Sequence, residues 1–544
     1  MSPAIARPIV LAVLTGLLYP LCFPDFDLGL LAWIVLVPLH IALEGTAGIG
    51  PLPLARVFRL GWLSGTIAFA GVMTWVVTAM HEFGKVPLGV SYLLMLLLAV
   101  YLGLFVAGYG VGYLLLKRKS DTWAPLGGAC LWVALEWLRT YLFSGLPWAL
   151  LGYSQYLALP IIQIADVTAV YGVSFLLVLV NASLAELTLW AIRTKRGPVP
   201  MNRPWMPVTL ALAGVVASLL YGHWRLSQSE EIAARPTQTH VRVGLVQANI
   251  DQAHKWDAAY RRETIDRYLS LTDGLAQRVD LILWPEAATP FLFEQELGYR
   301  TEVTTLVRRM NVPLLFGSPT LRRYPNGRPY LHNSAYLLRA DGSDGGRYDK
   351  RHLVPFGEYI PLKSSLLFFL DKLVEGIGDF EAGRDATVFS VPVRRGEGPA
   401  AAMARFGVVI CYEVIFPGET RDFAARGANL MATITNDAWF GRSVAPAQHF
   451  GMVVFRAVEN RRAVVRAANT GISGVIDPWG RILEATPIFE QRAVAGTAML
   501  MTGETVYTRF GDVFALACAI IAGLWLGAAL LVSPPPPPAA PPRP

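Results

Sequence analysis

Eight apolar runs constrain this chain more than any motif does. They lie near residues 8–23, 28–43, 60–80, 88–116, 123–143, 161–192, 205–221 and 513–532. A helix crossing lipid needs about 20 residues and must satisfy its backbone polar groups internally. Only 16% of the residues are charged, against about 25% in soluble domains. The mean hydropathy is +0.42. Part of the chain is therefore expected in lipid. The first two runs are short and bounded by proline. The runs 88–116 and 161–192 exceed one straight crossing, so their ends are expected to project or tilt.

Basic residues fall on alternate connections. Arg7 precedes the first run; Arg56 and Arg59 precede the third; Lys117, Arg118 and Lys119 follow the fourth; Arg193, Lys195, Arg196 and Arg203 follow the sixth. Read by the positive-inside rule, both termini are cytoplasmic and the segment from about 222 to 512 is external. The net charge of +7 arises largely from these loops, which argues against a nucleic-acid partner. The first run is expected to be a retained helix, because no small-x-small cleavage site follows it. Bulky Tyr19, Pro20 and Leu21 argue against lipoprotein-type cleavage at Cys22. The expected organisation is 1–222 as a seven-span membrane region, 223–511 as an external catalytic domain, 512–533 as an eighth span and 534–544 as a Pro-rich disordered tail.

The external segment alternates strand-like and helical patterns. Strands are expected at 241–247, 281–284, 312–317, 334–338, 406–410, 430–435, 464–467, 474–477 and 494–498. Helices are expected at 257–275, 301–310 and 449–460, with helical character from Pro417 onward. This is an α/β or α+β layered domain. Cys22, Cys130 and Cys518 fall in the apolar runs, leaving Cys411 as the only external cysteine. In an oxidising compartment such a thiol has no partner for a structural bridge.

Three segments place reactive groups just after strand-like runs. Trp284-Pro285-Glu286 presents a carboxylate. Tyr348-Asp349-Lys350 presents an amine ahead of Pro355-Phe356-Gly357-Glu358. Cys411-Tyr412-Glu413 presents a thiol at the end of 406–410, where backbone N–H groups can bias it toward thiolate. A carboxylate can take the thiol proton, the sulfur can attack a carbonyl, and an ammonium can support the oxyanion. Each residue taken singly also reads as ordinary solvated surface, or, for Cys411, as a small buried hydrophobe. His332, His352 and His449 are the candidates for a Cys–His pair, and none has a distinctive sequence setting. No ligand-spaced Cys/His cluster suggests a metal.

Other features keep two readings. Glu136 and Arg139, three apart in an apolar run, either line a polar wall or pair structurally; Asp166 and Glu186 pose the same question. The apolar stretches 289–293 and 364–370 are either lids that touch lipid or ordinary core.

Trp284-Pro285-Glu286, Tyr348-Asp349-Lys350 and Cys411-Tyr412-Glu413 resemble the Glu-Lys-Cys signature of the nitrilase superfamily. With Leu353-Val354-Pro355-Phe356-Gly357-Glu358, the Ser144-Gly145-Leu146-Pro147-Trp148 and Gly152-Tyr153-Ser154-Gln155 motifs and eight spans, nearly the whole chain resembles the bacterial apolipoprotein N-acyltransferase family. The Pro-rich tail is the exception. The resemblance implies an integral membrane α-helical bundle of eight spans carrying a periplasmic α/β nitrilase-like four-layer αββα sandwich. It implies Glu286 as general base, Lys350 as oxyanion partner and Cys411 as nucleophile. Glu358 and Glu413 become supporting acids, Tyr412 the nucleophile's neighbour, and Trp256 a shaper of substrate access, with Trp148 in the membrane motif. No metal or other cofactor is implied. The implied substrates are a phospholipid acyl donor and a diacylglyceryl-modified apolipoprotein, met at the bacterial inner membrane. A membrane-tethered nitrilase-type amidase or hydrolase is the alternative. A transporter or receptor with an inert external domain is disfavoured by the Glu-Lys-Cys set.

Overall fold

The computed structural model describes residues 3–44, 52–195, 204–235, 237–275, 279–359, 380–393 and 402–531. The stretch 364–370, Arg196, Arg203 and the Pro-rich tail lie outside these residues.

The N-terminal region is helical: α1 (Pro3–Leu18), α2 (Val37–Glu44), α3 (Leu54–Val72), α4 (Trp75–Thr78), α5 (Leu88–Lys119), α6 (Ala124–Tyr141), α7 (Leu159–Ile162), α8 (Ala165–Thr168), α9 (Val170–Thr194) and α10 (Trp205–Ala233). After the second domain come α15 (Val506–Phe510) and α16 (Val513–Leu531). Among the described residues, α5, α9, α10 and α16 are long and apolar enough to cross a membrane. The pair Leu54–Val72 and Trp75–Phe83, bent by 52°, makes a fifth candidate. Helices α3 and α5 approach closely because small residues line their seam. A Cβ on Gly61 would sit 2.7 Å from the Val106 carbonyl oxygen, and one on Gly103 would sit 2.8 Å from the Thr66 nitrogen. Glycine lets the backbones meet there, as at packed helix seams in lipid.

Two expectations change. The run 161–192 does not tilt as one long helix. It breaks at Ala169, whose φ of +53° ends α8 and restarts the chain as α9. Glu136 and Arg139 do not pair directly. Glu136 accepts hydrogen bonds from Trp132 Nε1 (2.9 Å) and the Leu151 N–H (2.8 Å), while Arg139 lies over the Phe69 ring. The other two apolar-run carboxylates are braces. Glu186 is bonded to Lys117 and to the Tyr113 hydroxyl. Asp166 receives Arg225 of α10 and Arg461 from the second domain, both at 2.7 Å. That ion cluster fastens the domain to the helices.

The second domain is built on two mixed six-stranded sheets. The first contains β1 (His240–Gln247), β2 (Leu281–Leu283), β3 (Leu314–Arg323), β4 (Pro329–Leu338), β5 (Asp344–Asp349) and β12 (Arg492–Met499), in the order β12-β1-β2-β3-β4-β5. The second contains β6 (Val388–Pro392), β7 (Met403–Ile410), β8 (Leu430–Thr435), β9 (Val464–Ala468), β10 (Gly474–Ile476) and β11 (Ile482–Ala485), in the order β11-β10-β9-β8-β7-β6. Each sheet has three parallel central strands, β1-β2-β3 and β7-β8-β9, flanked by antiparallel neighbours. Strand alternation makes the layers. Val241, Val243, Leu245, Leu281 and Leu283 enter the core shared with the second sheet. Val246, Ile282 and Trp284 face the other way, into a core with Ile265, Tyr268, Val303 and Leu306. The latter four belong to α11 (Arg261–Asp273) and α12 (Leu297–Met310). On the second sheet α13 (Pro417–Ala425) and α14 (Ala445–Asn460) play the same part. Strands β6 and β11 escaped the sequence reading, and the strand-like run ahead of Lys350 was given no bounds there; it is β5, and all three are edge strands. The stretch 289–293 proves to be core, because Phe291 and Phe293 are buried beside Phe316. It is no lid.

Candidate active site

The carboxyl ends of the parallel strands point to one place, and the sequence-selected residues meet there. Trp284 fixes the first of them. Its indole stacks on Tyr268 and donates to Thr272 Oγ1 at 2.9 Å. The chain then turns at Pro285-Glu286-Ala287, with Ala287 at a φ of +47°. Strand β3 passes so close that a Cβ on Gly317 would lie 2.5 Å from the Ala287 nitrogen; only glycine fits. This turn aims Glu286, whose Oε1 accepts from Asn333 Nδ2 (2.7 Å) and whose Oε2 accepts from the Asn436 N–H (2.8 Å).

Lys350 follows β5 and is buried. Its backbone N–H donates to the Asn333 carbonyl at 2.8 Å. Its Nζ lies 2.9 Å from Glu358 Oε2 and 3.7 Å from Glu286 Oε1. Burial disfavours the ammonium, but the Glu358 and Glu286 carboxylates prevail and hold the pKa well above its ordinary value. Lys350 therefore stays a cation. Glu358 also accepts from Asn333 Nδ2 (2.8 Å) and the Val354 N–H (2.7 Å), so Asn333 bridges the two carboxylates.

Cys411 leaves β7 in a left-handed conformation, with φ of +51°. A non-glycine residue held there costs on the order of 1–3 kcal/mol and needs strong surroundings to persist. Glu413 supplies them. Its carboxylate, fully buried, accepts from the Ile410 N–H (2.6 Å), the Arg351 N–H (2.6 Å), the His352 N–H (3.1 Å) and the Tyr348 hydroxyl (2.7 Å). It thus ties the nucleophile turn to the Lys350 loop. Glu413→Gln replaces one acceptor oxygen by a donor, and each buried donor left unpaired costs about 1–3 kcal/mol. A lowered melting temperature and weaker Cys411 labelling are the expected results, read by thermal denaturation and thiol-reagent kinetics. An unshifted melting curve with normal labelling would remove Glu413 from this role.

The expectation of a thiolate-biased cysteine is corrected. Burial pushes the Cys411 thiol well above its ordinary value, the Glu286 carboxylate adds to this, and Lys350 only partly offsets it. Glu286 is the charged group that acts on the thiol most strongly.

The remaining candidates surround this centre. Tyr412 donates to the Gly145 carbonyl at 2.9 Å. Trp148 is buried, donates to Gln448 Oε1 at 2.7 Å and stacks on His449. The Ser144–Trp148 motif therefore packs against the turn that carries Cys411 and Tyr412. Trp256 is 49% exposed, at the rim. His352 stacks on Phe416, and burial followed by Lys350 lowers it to about 4. His332 Nδ1 faces the Glu381 carbonyl.

His449, one of the three histidines considered for a Cys–His pair, belongs to the site's wall. Its Nδ1 lies 3.2 Å from Asp437 Oδ1 and 3.0 Å from Arg466 Nη2. Burial and Arg466 lower the imidazole's pKa, while Arg466 and His449 hold Asp437 well below the usual carboxylate range despite its burial. Asn333 and Asn436 were passed over in the sequence reading; the only signal for Asn436 was its position at a strand end. Lys255 was assigned no role from sequence; its Nζ donates to the Glu286 carbonyl at 3.1 Å. Among the described residues no cluster of three or more His, Cys, Asp or Glu side chains could hold a metal.

Residues 15–183 match the family described as apolipoprotein N-acyltransferase N-terminal domain, and 242–499 match carbon-nitrogen hydrolase. A Geobacter metallireducens protein named apolipoprotein N-acyltransferase is 42% identical over 96% of this chain and 95% of its own. Proteins of the same name from Chlorobaculum tepidum and Azotobacter vinelandii are 33% and 34% identical, each over 96% of this chain and over 97% and 94% of their own. Among solved structures, an amidase from Nesterenkonia sp. aligns at 19% identity and a TM-score of 0.35, covering 51% of this chain and 95% of its own.

Proposed function

The chain belongs to the apolipoprotein N-acyltransferase family, and from that premise we propose how its site carries an acyl group between two lipids. Cys411 is the nucleophile, Glu286 the general base and Lys350 the oxyanion partner. Glu286 takes the thiol proton as sulfur attacks an ester carbonyl of a phospholipid. The Lys350 ammonium, held charged by Glu358, stabilises the negative oxygen. Glu286 returns the proton to the departing alkoxide, which leaves as a lysophospholipid. The acyl chain remains on Cys411 as a thioester. The α-amine of a diacylglyceryl-cysteine apolipoprotein then attacks that thioester, forms an amide and releases the thiol. A thioester suits this exchange because amines attack it readily, provided water is excluded.

The chain is read as crossing the bacterial inner membrane eight times, with its nitrilase-like domain on the periplasmic face. Helices α5, α9, α10 and α16 and the bent α3–α4 pair account for five crossings. The apolar segments Ala6–Cys22 and Gly29–Glu44, with α6, supply the other three. The domain divisions 1–222, 223–511, 512–533 and 534–544 follow, although α10 continues without a break past 222 to Ala233. Glu358 and Glu413 support the two functional loops, Tyr412 and Trp148 seat the nucleophile turn on the membrane motif, and Trp256 borders the substrate path.

The observation that carries the proposal is the meeting of a buried Lys350–Glu286 pair with a cysteine held on a left-handed turn. Intact-mass measurement after incubation with phospholipid vesicles tests it. The expected result is a gain equal to one acyl chain, discharged by a diacylglyceryl-cysteine peptide as an N-acylated product. A tethered amidase would instead release free fatty acid or turn over small amides without amine transfer.

A further inference from the structure

The nucleophile turn is tied to more than its own sheet. Cys411 opens a short 3-10 turn that runs to Ile415. At its start Glu413 accepts from the Ile410 N–H, and the Tyr412 hydroxyl donates to the Gly145 carbonyl. At its end the Ile415 carbonyl receives two donors, Arg456 Nη1 at 3.3 Å and the Tyr153 hydroxyl at 3.4 Å. The last carbonyls of a helical turn have no partner within it, so these donors fix where the turn ends. Gly145 and Tyr153 both lie in the helical region, in the Ser144–Trp148 and Gly152–Gln155 motifs. The backbone of Cys411 is thus registered on the helices as well as on β7.

Arg456 is the centre of this joint. It lies on α14 and is fully buried. Its Nη2 donates to the Tyr153 hydroxyl oxygen at 3.0 Å and to Glu459 Oε1 at 2.8 Å. Its guanidinium carbon lies 5.7 Å from the centre of the Tyr153 ring. Glu459 Oε1 accepts in turn from the Val170 N–H at 3.1 Å, where α9 begins. A planar fork reaches a carbonyl, a hydroxyl and a carboxylate at fixed angles, as a lysine ammonium does not. Further along, Arg461 makes a separate crossing between the two regions. Its partners are Asp166, Gln163 and the Pro478 carbonyl, none of them in the nucleophile turn.

A non-glycine residue keeps a left-handed φ only while its surroundings hold it there. Loosening Ile415 lets the turn relax and carries the sulfur away from Glu286 and Lys350. We propose that Arg456 is a positioning residue for the acylation step: through the Ile415 carbonyl and Tyr153 it fixes the Cys411 turn against the helices, the side from which a phospholipid ester comes. It touches no reacting atom. This rests on the acyl-transfer reading above.

The test uses the full-length protein in lipid nanodiscs and follows single-turnover acylation by intact mass at saturating phospholipid. The amplitude reports how many molecules are folded. The rate constant reports how well each folded molecule places its sulfur. Tyr153→Phe removes one hydroxyl and keeps the Arg456–Glu459 pair. Its rate constant is expected to fall about tenfold, the equivalent of one hydrogen bond. Its amplitude and half-saturating phospholipid concentration should stay near wild type. For Arg456→Met the rate constant should fall about a hundredfold, the scale of a misplaced reacting group. That variant also strands the buried Glu459 charge, so its amplitude should fall too. The double variant should be no slower than R456M alone, because both changes act through one carbonyl. Arg225→Met is the control: it loosens the Asp166 cluster and should lower the melting temperature while leaving the rate constant unchanged. If R456M does not fold, the comparison of Y153F with R225M decides. The proposal is overturned if Y153F and R456M lose amplitude but keep the wild-type rate constant, if their effects multiply, or if R225M slows acylation as much as Y153F does. Failure of the wild-type protein to load acyl chain would instead defeat the acyl-transfer reading itself.

Discussion

Cys411→Ser should leave no detectable acyl adduct after incubation with phospholipid, and acyl transfer should drop by on the order of ten-thousandfold or more. The thiol is already held above its ordinary value by burial and Glu286. A hydroxyl in the same place is a still weaker acid, so Glu286 would have to remove a proton far beyond its reach. If an ester did form, amines attack esters far more slowly than thioesters, so turnover would stop at the adduct. The change is nearly isosteric, and Glu413 would continue to hold the turn through the Ile410 N–H. Near-native thermal unfolding is therefore expected alongside the lost adduct. A serine variant that still transfers acyl chains at a comparable rate would show that another residue carries the intermediate.

The second large effect is expected for Glu286→Gln. Removing a general base costs roughly a hundred- to ten-thousandfold, and here it removes more than basicity. Both oxygens of Glu286 are acceptors, one for Asn333 Nδ2 and one for the Asn436 N–H. An amide can satisfy one of these and must turn its NH2 toward the other donor. It also withdraws one of the two carboxylates that keep Lys350 protonated. The acyl-adduct mass should therefore appear at a rate reduced by at least about a hundredfold, even with saturating phospholipid. Stopped time points of intact mass measure this directly. Acylation at the wild-type rate would remove Glu286 from the role of base and leave the Lys350–Glu358 side of the site to be reconsidered.

How far the site could be read in advance depended on each residue's local signal. Glu286 and Cys411 each follow an apolar run that ends abruptly, and a buried parallel strand has that form. Their strands appear where expected, as Leu281–Leu283 and Met403–Ile410. Lys350 follows a weaker strand, Asp344–Asp349, that alternation did not reveal. Asn333 sits inside β4, where nothing in its neighbours distinguishes it from a strand asparagine facing solvent. It becomes a site residue only because β3 and β5 bring it between Glu286 and Glu358. The thiolate expectation failed for a related reason. Sequence offered the N–H groups of a following turn, but burial and the carboxylates of Glu286 and Asp437, brought in from distant segments, act on the thiol in the opposite sense. The broken 161–192 run shows the same limit: apolar composition gave its length, while the turn at Ala169 depends on docking against the second domain, where Glu459 accepts the Val170 N–H at 3.1 Å.

Sequence alone determined that this chain has a lipid-seeking helical part and a layered α/β part, because apolar run length and strand alternation report directly on what backbone and side chains must bury. It also singled out an acid, an amine and a thiol at strand ends, which the fold brings together. Tertiary structure decided the protonation of those groups and their supporting cast. A pKa is set by every charge and dipole within a few ångströms, and those come from residues as far apart as the 150 positions between Glu286 and Asn436. No local pattern records which distant loop will face which.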